Sequence, residues 1–266
     1  MNVARRATGN RRIGHAGTLD PFATGLLVLL VGHVTRLLPY MDGEPKVYEA
    51  AVAFGTETDT DDATGAVVRR ADLPAPDRVR GALAALTGTI DQVPPSYSAK
   101  QVAGQRAYKA ARKGAPLALE PVRVTVHEWA IRELRPERLD ATITCGGGTY
   151  IRALARDLGR LCDSAAHLAA LRRVRSGPFD VRNSVSLESL KIGPVALMSP
   201  VAAVQQLPSV VLTDEDLDHV RHGRSVSGVA DATLRTGALI APDGRLVGIA
   251  ERVGGAWQPR VVLPHA

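Results

Sequence analysis

The chain has 266 residues, 45% hydrophobic and 23% charged, and a formal net charge of +6. This is ordinary globular composition, sized for one large domain or one domain with a small appendage, and its basic balance favours a polyanionic partner. Two distant cysteines, Cys145 and Cys162, exclude a zinc site or a disulfide framework and read as buried thiols of a cytosolic protein; the N-terminus lacks the apolar core of a secretory signal, and the longest apolar stretch, "GLLVLLVG", is too short to span a bilayer.

In chain order, "VARRATGNRRI" reads as the end of an amphipathic helix. A Gly/His-rich turn with a lone carboxylate, Asp20, follows. "GLLVLLVGHVTRLLPYM" is apolar enough to be buried and should stop at Pro39. "KVYEAAVAFGTETDTDDATGAVVRRADL" reads as a strand, an acidic turn and a second strand, with Tyr48, Ala50, Val52 and Phe54 on one face. "APDRVRGALAALTGTI" is a capped helix, opened by Pro76 and Asp77 and followed by Gly88. "VPPSYSAKQVAGQRAYKAARKGAPLALEP" differs in kind: Lys100, Arg106, Lys109, Arg112 and Lys113 are interleaved with Tyr97 and Tyr108 between bounding prolines. "VRVTVHEWAIRELRPERLDATITCGGG" is a β-hairpin pattern with Val122, Val124 and Val126 sharing a face. "TYIRALARDLGRLC" is helical, with an apolar stripe of Ile151, Leu154, Ala155, Leu158 and Leu161 flanked by Arg152, Arg156 and Arg160. After about residue 190 the pattern loosens, and residues 205–266 predict a small all-β module, in which "GALIAPDGRLVGIAER" is a hairpin.

Each candidate site has a plain structural reading beside it. "DTDDATG" fails as a calcium loop, because counting from Asp59 the sixth and twelfth positions are Thr64 and Arg70; it reads as a solvated turn. No P-loop and no nucleophile elbow is present. The triglycine Gly146–Gly148 suits either an anion at a helix start or a tight strand-to-helix connection. The arginine stripe and the basic run both suit solvated faces, although the tyrosines of the run also suit a nucleic-acid contact. Asp20 followed by Pro21 fits a helix N-cap with proline at the first helical position.

Five segments, taken together, change this balance. "GHAGTLDPFATGLL", "KVY", "VPPSYSAKQVAGQRAY", "GGGTYIRALARDLG" and "HLAALRRVRSGPF" occur in this order within residues 3–183. They resemble the bacterial TruB family of tRNA pseudouridine synthases, which act on uridine 55 in the T loop of tRNA. The resemblance implies an α+β pseudouridine-synthase fold: a mixed, mostly antiparallel sheet flanked by helices over residues 1–190, with an RNA-clasping insertion at about 94–120 and a PUA-like RNA-binding domain over 205–266. It implies an isomerase that needs no cofactor or metal, since no redox change or group transfer from outside occurs. It also implies tRNA, through its T stem-loop, as partner, a cytoplasmic location and a monomer.

By the same resemblance Asp20 is the catalytic carboxylate and Arg152 pairs with it and aims it. Tyr48 stacks on the target base, Tyr150 and Leu171 line the pocket, and His15 fills the space that the flipped nucleotide leaves. Lys100, Arg106, Lys109, Arg112 and Lys113 hold the RNA through phosphate charge. Family members start earlier, with a strand and a Lys-Pro-x-Gly-x-Ser/Thr-Ser segment, so a missing N-terminal strand and an exposed sheet edge are expected here. The competing readings are an RNA-binding or tRNA-chaperone protein of weak activity and, less well supported for want of a second matching carboxylate, a glycoside-cleaving enzyme.

Overall fold

The structure is a computed structural model that describes all residues except 99, 103–104, 112–113, 116, 194, 228–233 and 265–266. The chain forms two compact units that do not follow chain order. One comprises residues 19–26 and 43–183; the other comprises 1–18, 27–42 and 184–266.

The first unit is built on a sheet whose strands run, in spatial order, Phe179–Asp180, Ala166–Ser176, Lys46–Phe54, Arg138–Cys145, Val122–Arg135 and Gly88–Gln92. These pairings are antiparallel. A two-residue strand, Thr24–Gly25, adds a parallel pairing, against Arg172 and Arg173. The expected period-2 face is present: Tyr48, Ala50, Val52 and Phe54 are all buried in one core cluster. The hairpin over 122–145 forms as the sequence predicts, with Val124 and Val126 buried.

Two helices cover that face. Pro76–Ala85 starts with proline in its first turn and buries Val79, Ala82 and Leu83. Ile151–Leu161, the arginine helix, buries Ile151, Leu154, Ala155 and Leu158 against the sheet. Leu154 and Leu158 are fully buried, and each such leucine contributes about 1.5–3 kcal/mol. Leu161, expected in the stripe, is exposed, because the helix ends there and Cys162 caps it.

The second unit holds a helix over Asn2–Thr8, a strand pair of Ile13–His15 with Leu29–Val31, and a four-stranded sheet. That sheet orders Ser209–Val211, Thr236–Ile240, Leu246–Val253 and Ala256–Val262, and a helix with a capping box, Asp214–Arg221, lies in the chain between its first two strands. The Pro-Asp-Gly hairpin forms, with Gly244 at φ +82°. The apolar run is neither buried throughout nor ended at Pro39. It forms the strand Leu29–Val31 and then a 3-10 helix, Gly32–Tyr40, that contains Pro39. Gly32 at φ +69° breaks the run, of which Leu26, Leu30, Gly32 and Leu37 are buried. Among the described residues no helix is long and apolar enough to cross a membrane.

Candidate active site

Asp20 does not cap a helix. It opens a tight turn in which Ala23 N–H donates to Asp20 O at 3.0 Å. Pro21 therefore serves its other common role, the second position of a β-turn. The chain is then drawn into the sheet edge: Thr24–Gly25 pairs with Arg172–Arg173, and Leu26 N–H donates to Arg173 O at 2.8 Å. Gly25 sits at φ +94°, where a Cβ would lie 2.2 Å from Arg173 O, so glycine alone permits this approach.

Arg152, in the first turn of the arginine helix, reaches this aspartate with a two-pronged bond. Its Nε donates to Asp20 Oδ2 at 3.0 Å and its Nη2 to Asp20 Oδ1 at 2.8 Å. Such a planar fork fixes direction as well as distance. Arg152 is buried and is itself held: Nη1 donates to Thr60 O at 2.8 Å, Nη2 also to Tyr97 O at 3.0 Å, and Asp62 Oδ2 lies 3.7 Å from Nε. Asp62 is locked in turn, its Oδ1 accepting from Thr60 Oγ1, Thr64 N–H and Thr64 Oγ1.

The arginine stripe is thus solvated only at Arg160, and the acidic turn keeps Asp59, Ala63 and Thr64 in water while Asp61 and Asp62 turn inward. Arg152 and Arg156 are buried, as are Glu57, Asp61 and Asp62. Arginines at every fourth position meet acids on the turn or on the strand Thr56–Thr58 that leads into it. Arg156 Nη1 donates to Asp61 Oδ2 at 2.9 Å and its Nη2 to Val93 O at 2.8 Å, while Arg160 bonds Glu57 through both prongs. Burial pushes the Asp61 carboxyl up to about 6, against the pull of Arg156. At Glu57 burial also acts to raise the carboxyl, but the bonds and charges of Arg160 and Arg69 outweigh it and hold the group below its usual range.

The other expected residues divide. Tyr48 is buried beside Arg173, and burial raises its pKa, with the charge of Asp20 also felt at the phenol. Leu171 lies opposite Ala50 on the adjacent strand and joins the same core cluster. Tyr150 is the residue before the arginine helix; the buried Gln92 side chain donates to its carbonyl at 3.1 Å and accepts from its N–H at 2.8 Å. His15 is in the other compact unit, exposed, on the strand Ile13–His15. Lys100 and Lys109 are exposed, Lys109 on the short helix Ala107–Ala111. Arg106 is in the short strand Gln105–Arg106, whereas Arg112 and Lys113 lie outside the described residues. At the triglycine, Gly148 has φ +78°, as a tight connection requires, and Gly147 N–H donates to Glu44 Oε1 at 2.7 Å. A cavity of about 310 Å³ flanks the aspartate turn, lined by Phe22, Thr24, Leu171, Glu49, Arg132 and Arg172 among others, but not by Asp20, Tyr48 or Arg152.

The model for the TruB family pseudouridylate synthase N-terminal domain matches residues 5–151, and that for the tRNA pseudouridylate synthase B C-terminal domain matches residues 152–198. The chain belongs to the TruB family. Relatives named tRNA pseudouridine synthase B include one from Thermobifida fusca, 43% identical over 97% of this chain and 91% of that protein. One from Arthrobacter sp. is 41% identical over 97% and 90%, and one from Microcystis aeruginosa 40% identical over 97% and 92%. Among solved structures, the archaeal box H/ACA sRNP Nop10–Cbf5 complex superposes with a TM-score of 0.70 at 22% identity, over 98% of this chain and 80% of that one. An H/ACA RNP bound to a substrate RNA containing 2′-deoxyuridine gives 0.68 at 21%, over 98% and 79%. These likenesses carry the fold: a mixed sheet flanked by helices, with a separate sheet in the C-terminal part.

For a TruB-family chain, sequence reasoning missed the acids behind the arginines. The signal was present as two patterns read apart: arginines at four-residue spacing on one helix, and an acid-rich turn with no basic residue inside it.

Proposed function

We propose that this chain is a tRNA pseudouridine synthase that isomerises uridine 55 in the T loop. The observation that carries the reading is the bidentate Arg152–Asp20 pair, within a chain that matches the family over nearly its whole length. The reaction breaks the bond from C1′ to N1 and makes one from C1′ to C5; the C5 proton leaves and N1 gains one, so nothing else is consumed. A carboxylate suffices, either bonding to the electron-poor carbon or taking a proton from the sugar. Both routes need Asp20 aimed at one place, and Arg152 supplies the aim. The uridine is flipped out of its loop, stacks on Tyr48, and is bounded by Tyr150 and Leu171, with His15 entering the space it vacates. The detached uracil turns within that enclosure before it rejoins the sugar.

Residues 1–190 form the catalytic domain in this reading. The insertion at about 94–120 grips the T stem-loop through Lys100, Arg106, Lys109, Arg112 and Lys113, and residues 205–266 add an RNA-binding module. The protein works as a cytoplasmic monomer on tRNA, without a cofactor. The test is tritium release from C5-labelled uridine in a T-arm transcript. Release by the wild type, and none by Asp20→Asn with RNA binding retained, is the expected result. Binding without release in the wild type overturns the reading in favour of an RNA-binding or tRNA-chaperone role.

A further inference from the structure

Arg173 is fully buried on the strand Ala166–Ser176, directly opposite Tyr48 on the neighbouring strand. Its guanidinium hydrogen-bonds the Tyr48 side chain. Its Nε donates to Leu26 O at 2.9 Å, and its own carbonyl accepts from Leu26 N–H. Leu26 closes the segment that begins with Asp20, and Gly25 is pressed against the Arg173 backbone. One residue therefore grips the phenol from one side and the exit of the aspartate turn from the other.

The site does not need an arginine for packing. Leu168 and Leu171, on the same strand, fill neighbouring positions of the core with hydrocarbon. A guanidinium withdrawn from water is tolerated only where its donors are bonded, and these donors reach Tyr48 and the Asp20 turn. We propose that Arg173 is a positioning residue for the isomerisation, setting the Tyr48 ring and the Asp20 turn in one frame. This rests on the function proposed above. Arg173 does not touch the reacting atoms; it acts through Tyr48 and Leu26. Burial raises the Tyr48 pKa more than the Arg173 charge lowers it, so the phenol stays protonated at neutral pH and its oxygen accepts the guanidinium hydrogen.

The test is a double-mutant cycle with Arg173→Met and Tyr48→Phe, read as single-turnover tritium release at saturating T-arm RNA and as a separate RNA dissociation constant. Arg173→Met is expected to slow the single-turnover step about 100-fold, the cost of a small misplacement of reacting groups, while RNA affinity stays within about threefold. Tyr48→Phe should cost less in the Arg173→Met background than in the wild type, because the bond is already gone. Arg173→Lys, which keeps the charge and can reach one partner, should recover part of the rate. Additive losses in the cycle, or equal losses in affinity and rate, overturn the proposal. Should Arg173→Met lose the wild-type circular dichroism spectrum, the cycle is run with Arg173→Lys, and a wild-type rate there, with full additivity, overturns it equally. An inactive wild type sinks the isomerase reading itself; an active wild type beside an indifferent, folded Arg173→Met sinks this inference alone.

Discussion

Two basic regions of this chain look alike as text and differ as structure. The helix Ile151–Leu161 presents Arg152, Arg156 and Arg160, and each meets a carboxylate; the first two are buried. The run from Lys100 to Lys113 has Lys100 and Lys109 exposed, with no carboxylate partner among the described residues. The first set of cations is neutralised within the fold and gives direction to Asp20. Lys100 and Lys109 of the second remain open to an outside polyanion. Spacing alone does not separate these fates; whether acids from a distant turn come to meet the cations does.

The largest expected effect lies on the buried side. Arg156→Ala leaves the Asp61 carboxylate buried without its partner and should lower the unfolding free energy by about 3–5 kcal/mol in urea titration. A loss below about 1 kcal/mol would mean that the arginine helix resembles the exposed run after all.

The pH response sharpens the contrast. The Asp61 pKa is raised from 3.8 to about 6, first by burial. A carboxyl raised in this way adds stability below its unfolded value near 4 and loses it as pH rises to 6. At 1.36 kcal/mol per unit the loss is about 3 kcal/mol. Asp61→Asn should remove that decline, and asparagine suits the positive φ of 59° at this position. Urea unfolding of both proteins between pH 4 and 6 measures it; parallel curves would refute the assignment. Glu57, held below its usual range, should act with the opposite sign, adding stability above about 4.5 that is lost as pH falls.

Gly25→Ala should cost about 2 kcal/mol or more, from the left-handed backbone and the clash with Arg173 O. It should also slow single-turnover isomerisation without changing RNA affinity, since the Asp20 turn is what shifts. The smallest effect on stability belongs to the basic run. Neutralising Lys109, Arg112 and Lys113 together should leave stability within about 0.5 kcal/mol. It should raise KM and reduce the slope of log affinity against log salt by about 2, with single-turnover chemistry at saturation preserved. A fall in that chemistry as large as the fall in affinity would erase the distinction between the two regions.

Local pattern carried much of the fold. The alternation through Tyr48, Ala50, Val52 and Phe54 and the apolar stripe of the arginine helix report burial directly, because side-chain direction repeats with the backbone. The hairpin over 122–145 was legible for the same reason. What was not legible depends on partners far away in the chain. Asp20–Pro21 suits a helix start and a β-turn equally, and the pairing of Thr24–Gly25 with Arg172–Arg173 settles it across nearly 150 positions. The acidic turn looked solvated because Arg152 and Arg156 lie some 90 residues on. Of the site, the motif placed Asp20, Arg152, Tyr48, Tyr150 and Leu171 in one unit of the fold, but Asp62, Arg156 and Arg173 emerged only from their contacts.

The bond between Glu44 and Gly147 has its own consequence. The loop leading to the arginine helix has the look of a phosphate cradle, yet a resident carboxylate already occupies its amide. The chain brings its own counter-ion to that doorway, so nucleic acid approaching it meets a like charge. Replacing Glu44 with alanine, which offers no side-chain acceptor, would free that amide and remove the like charge, whereas glutamine would keep the bond through its own carbonyl oxygen.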